Sequence, residues 1–86
     1  MNLRELAKQS ETEFRERIKK YHEKYRKAVK EKTLEEIRKM RELDYIAEFK
    51  GYQALIMQKR EEKNKKKKKE LEIRLKAYAK FLEEIG

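Results

Sequence analysis

The only histidine, His22, is the one side chain in this chain that ordinarily titrates near neutral pH, so acid–base or metal chemistry would have to begin with it. It sits in Tyr21-His22-Glu23-Lys24-Tyr25 with no second imidazole and, in a chain without cysteine, no thiolate to complete a metal site. Ser10 is the only serine and Asp44 the only aspartate, and neither stands at a readable spacing from His22 for a nucleophile–base pair. The glutamates recur four residues before a base, as in Glu11/Arg15, Glu13/Arg17, Glu16/Lys20 and Glu23/Lys27, which reads as ion pairing along a helix surface. No catalytic, cofactor-binding or metal residue is expected, and the chain does not read as an enzyme.

Phosphate binding is the one ligand chemistry the side chains offer. Lys59, Arg60, Lys63, Lys65, Lys66, Lys67, Lys68 and Lys69 crowd into one short stretch that holds most of the excess behind a formal charge of +9. Each base that neutralises a phosphate adds salt-dependent affinity, so a basic nucleic-acid-binding helical protein is one reading. The stretch has no aromatic ring to stack on a base. An anionic membrane surface, an acidic protein or a plain solvated loop would use the same charges.

The elements that carry these residues read as helices. Half of the residues are charged and 37% hydrophobic, but the apolar ones recur at helical intervals, and there is no proline and little glycine. Asn2 with Glu5 has capping-box spacing, Ser10 with Glu13 offers a second start, and Thr33 with Glu36 repeats the box. Phe14, Ile18, Tyr21, Tyr25 and Ala28 make a narrow seam on the first helix, joined on that side by Leu3, Ala7 and Val29. Leu71, Leu75, Tyr78, Leu82 and Ile85 make another, broadened by Ala77 and Phe81. In Glu62-Lys63-Asn64-Lys65 only Asn64 can cap or turn the chain, so helices two and three either break there or run on. Lysines at the positive end of a helix dipole suggest that the start of helix three frays. The expectation is an all-α single domain over residues 1–86, an antiparallel helical hairpin or three-helix bundle with coiled-coil-like seams and helices at about 2–31, 33–62 and 66–85.

The middle helix differs from the other two because it is apolar on two opposite sides. Leu34, Ile37, Tyr45, Phe49, Tyr52, Leu55 and Ile56 fall on one side; Met40, Leu43, Ile46, Ala47, Ala54 and Met57 fall on the other. The aromatic side matches the seam of helix one. Either helix three covers the Met/Ala side in a flat arrangement, or that side meets a second chain. Methionine adapts to a partner's shape and alanine permits close approach, so Met40, Leu43, Ala47, Gly51, Ala54 and Met57 are the candidate protein interface. Gly51 costs about 0.8–1 kcal/mol against alanine in mid-helix, which points to another helix passing close by.

The Glu-to-base spacing continues in Glu35/Lys39, Glu61/Lys65, Glu62/Lys66, Glu70/Arg74 and Glu72/Lys76. With the capping boxes and the absence of Pro and Cys, the whole chain resembles the class of de novo designed helical bundle and coiled-coil proteins. That resemblance implies a stable all-helical scaffold; YIAEFKGYQALIMQ, less regular than its surroundings, is where a binding surface is expected. The leading expectation is a non-enzymatic protein–protein interaction module, pairing with a protein partner or as a homo-oligomer through the middle helix. The N-terminal MNLRELAKQSETEF has no continuous apolar run, so neither a signal peptide nor a membrane span is expected, and a soluble, cytoplasmic protein follows.

Overall fold

Three side-chain oxygens set where the helices begin. In a computed structural model that describes residues 2–86, the chain forms α1 (Leu3–Glu31), α2 (Leu34–Glu61) and α3 (Lys65–Ile85). Asn2 Oδ1 accepts from the Glu5 amide at 2.8 Å, Thr33 Oγ1 from the Glu36 amide at 3.2 Å, and Asn64 Oδ1 from the Lys66 and Lys67 amides at 2.9 and 3.4 Å. Each satisfies donors that a helix start leaves without partners. The chain therefore breaks at Asn64, and the cap secures the lysine-rich start of α3, which is helical from Lys65 rather than frayed. Ser10 caps nothing: with Asn2 holding the first turn, it lies mid-helix and fully buried, its Oγ without a hydrogen-bond partner.

The helices pack as a flattened three-helix bundle of 48 × 24 × 14 Å, with α2 antiparallel to α1 and α3 antiparallel to α2. Both α1 and α3 pack on the aromatic side of α2. The core is Phe14 from α1 with Tyr78, Phe81, Leu82 and Ile85 from α3, and Tyr45, Tyr52 and Leu55 of α2 close over it. Phe81 is 1% exposed; its ring lies 5.2 Å from that of Phe14 and 5.8 Å from that of Tyr78. Burial of such a ring stabilises by about 1.5–3 kcal/mol. The alternative in which α3 covers the Met/Ala side is not what the chain adopts. Tyr78 decides the side: its hydroxyl donates to the Glu48 carbonyl at 2.8 Å, and Gly51 is the residue over which that hydroxyl passes.

α1 and α2 touch little directly and are joined by polar side chains. Arg17 clamps both carboxylate oxygens of Glu48, which is buried, while its guanidinium lies 5.2 Å from the Phe81 ring centre. Lys24 and the Tyr25 hydroxyl both donate to Asp44 Oδ2 at 2.9 Å. Lys59 pairs with Glu72 and Arg74 with Glu13. These four ion pairs among the described residues all run between helices, so Glu13, Arg17, Glu72 and Arg74 do not make the pairs that spacing along one helix suggests. An inter-helix partner wins because it is held by the packing, whereas a same-helix pair on the surface is worth only about 0.3–0.5 kcal/mol.

Lengths differ enough to matter. α3 has 21 residues against 29 and 28 in α1 and α2, which makes it about 10 Å shorter at 1.5 Å per residue. Beyond Ile85 the hairpin end is uncovered, and Leu34, placed by periodicity on the aromatic side, is 83% exposed. Val29, in the last turn of α1, is exposed for the same reason. Among the described residues no helix is long and apolar enough to cross a membrane.

Candidate protein-interaction surface

Packing both neighbours on one side of α2 leaves the other side bare. Leu43 is 68% and Met57 60% exposed, with Ala47 and Ala54 also exposed between them and Met40 half-buried against the hairpin. These five residues form one line at successive intervals of three, four, seven and three, the spacing of a coiled-coil seam with one position left over. That position is Lys50, whose exposed side chain stands in the middle of the line. Ile46, 49% exposed, widens the strip on its outer edge and also lines the groove left past the end of α3 with Leu34, Ile37 and Tyr45.

Gly51 is exposed with the other candidates but lies at the edge of the strip nearest α3. A Cβ there would come within 2.6 Å of the Tyr78 hydroxyl oxygen, so the close approach its sequence position suggested is made by α3 of the same chain. Glu48 and Lys50 were the residues that spacing rules did not single out. Glu48 falls inside the arc of Tyr45, Tyr52 and Leu55, and a carboxylate in the centre of an aromatic arc is the signal that marks a buried charge needing a partner.

Three tyrosines around this polar layer hold their protons unusually tightly. Burial pushes the Tyr25 phenol well above the ordinary range, and its hydrogen bond to Asp44 adds to that. Burial likewise raises Tyr21 and Tyr78, with the Glu48 carboxylate as the second cause in both. His22 is exposed on α1, and among the described residues no group of histidine, cysteine, aspartate or glutamate side chains is placed to hold a metal ion.

The basic stretch divides. Lys59 is half-buried and engaged with Glu72 at 3.2 Å, whereas Arg60, Lys63 and residues 65–69 are exposed. Residues 65–69 make no ion pair with the described residues, and five consecutive helical positions point all round the axis rather than along one face.

Comparison with known protein families, with curated proteins and with solved structures finds no match to this chain. The strip and the lysine turn are thus read from their own chemistry.

Proposed function

We propose that the chain is a helical protein–protein interaction module that contacts another helix through the exposed side of α2. One observation carries this reading: α1 and α3 share the aromatic side of α2, so Leu43 and Met57 remain in water on a line of seam spacing, with Ile46 exposed at its edge. An exposed apolar strip of this kind on a small bundle, broken only by Lys50, marks a contact surface. Covering it would stabilise a complex by roughly 25 cal/mol per Å² of apolar area removed from water, before the costs of association. The module performs no chemical step and serves by holding a partner. The test is Ala47→Glu, which places a carboxylate in the strip without touching the core. The variant should keep its helicity by circular dichroism and lose the association seen by light scattering or by pull-down; unchanged association would remove the strip from consideration.

The exposed, unpaired lysines of residues 65–69 favour a second reading, a basic nucleic-acid-binding surface at the start of α3. It requires affinity for single- or double-stranded nucleic acid that falls steeply with salt, with a log–log slope of roughly 0.9 per phosphate neutralised on a duplex. Binding that survives replacement of residues 65–69 by glutamine would exclude it.

A further inference from the structure

The α2 strip holds three successive pairs of heptad core positions. Met40, Ala47 and Ala54 occupy one core position of the repeat, and Leu43, Lys50 and Met57 the other. A charged residue at one core position selects partners, because burying its ammonium without a counter-charge is costly. In a parallel pair of two copies, Lys50 would face Lys50. In an antiparallel pair centred on the strip, the two Lys50 side chains would sit one layer apart, with Lys39 opposite Arg60 of the second copy. Both arrangements set like charges against each other in the middle or along the flank, which argues against self-pairing.

The flanks of the strip carry both signs, with lysines nearest its centre and Glu16 and Glu31 farther out on α1. Lys24 reaches Asp44 from α1 at 2.9 Å and thereby neutralises the acid beside the strip. Lys20 and Lys27 lie one helical turn on either side of Lys24, both exposed along the α1 edge that borders α2. Glu36 and Glu61 mark only the two ends, and Glu42 lies round the helix in the other groove.

We infer that the α2 strip takes an acidic amphipathic helix of a different protein, with a carboxylate opposite Lys50 in the middle of its apolar seam. This rests on the strip being a contact surface, and deepens that reading by fixing the chemistry of the partner. Apolar side chains from the partner fill the layers of Met40, Leu43, Ala54 and Met57, and its outer acids meet Lys20, Lys27 and Lys39. Small Ala47 and Ala54 bring the two backbones close enough for a central carboxylate to reach the Lys50 ammonium.

The probes are two synthetic helical peptides of about three heptads, with leucine at the core positions and glutamate on the solvent faces. They differ only at the central core position, which is glutamate in one and lysine in the other. By fluorescence anisotropy the glutamate peptide should bind the full chain at least about tenfold tighter than the lysine peptide. Lys50→Glu, at an exposed position, should leave helicity intact and invert that order. Equal binding of the two peptides overturns the inference, as does an order that Lys50→Glu leaves unchanged. Failure of both peptides overturns it too; a dimer on light scattering that Ala47→Glu dissociates would then identify a second copy as the occupant and leave the strip as a contact surface. Indifference to Ala47→Glu in every assay would take down the contact surface as well.

Discussion

The Tyr78 hydroxyl passes over Gly51 so closely that a methyl group there would lie 2.6 Å from its oxygen, and from that position it donates to the Glu48 carbonyl. The ring below cannot retreat, because it is buried against Phe14 at 4.8 Å and Tyr52 at 5.6 Å. Glycine's conformational cost in α2 is thus tied to one hydrogen bond between helices.

Gly51→Ala should therefore destabilise the bundle by about 1 kcal/mol, the loss of that bond and the crowding outweighing the gain in helix propensity. In a Tyr78→Phe background the oxygen is gone and the nearest ring atom would be 3.6 Å from the new methyl, an ordinary contact. There the same substitution should stabilise by about 0.8 kcal/mol. Urea unfolding of the four proteins in this cycle checks the sign reversal; the same sign in both backgrounds would break the link between the two residues.

Arg17 and Glu48 should behave as a unit. Arg17→Met leaves a buried carboxylate without its partner and should cost about 2–3 kcal/mol, less than the roughly 3–5 kcal/mol of fully buried pairs because the arginine side chain is 35% exposed. Adding Glu48→Met should recover most of that loss. A double variant as unstable as the single would show that the pair contributes packing rather than charge compensation.

Alkaline pH should unfold the protein through its phenols. Tyr21, Tyr25 and Tyr78 bind their protons more tightly folded than unfolded, so their contribution is complete below the ordinary tyrosine value of 10.0 and is lost as pH climbs above it. Tyr25→Phe removes one such group together with its bond to Asp44. It should cost about 1 kcal/mol at neutral pH and make the decline above pH 10.0 shallower, read from melting temperatures across that range.

The capped lysine turn gives a charge test. Asn64→Ala should lose about 1 kcal/mol, since the Lys66 and Lys67 amides lose their acceptor. Asn64→Asp should stabilise by about 0.5 kcal/mol at low ionic strength, because a carboxylate at the positive helix end also meets the lysines, and that gain should fade in high salt.

How much of this could be read from residue order varies with the kind of interaction. Caps depend on neighbours within one turn, so Asn2, Thr33 and Asn64 were visible in the sequence. The seams of α1 and α3 were visible through their spacing, as was the doubled apolar character of α2. Which side of α2 would receive α3 was not visible, because both sides were apolar and the choice fell to a tyrosine hydroxyl that needed an acceptor. The ion pairs were misread for a similar reason: the four-residue rule says who can meet along a helix, and Arg17 found Glu48 across the bundle instead. Of the candidate interface, Leu43, Ala47, Ala54 and Met57 lie exposed together, and Gly51, also exposed, sits at the edge where the Tyr78 hydroxyl of α3 passes.

Because α1 and α2 meet mainly through charged side chains, the third helix is what gives the first two a shared interior. During synthesis from the N-terminus the hairpin leaves the ribosome with its aromatic rings facing only each other and water. At about 5–20 residues per second, the 21 residues of α3 take on the order of one to four seconds to follow. Over that interval both apolar sides of α2 stay in water. Completion of α3 covers most of one of them, leaving Leu34 and Phe49 at its margins, and leaves the other exposed.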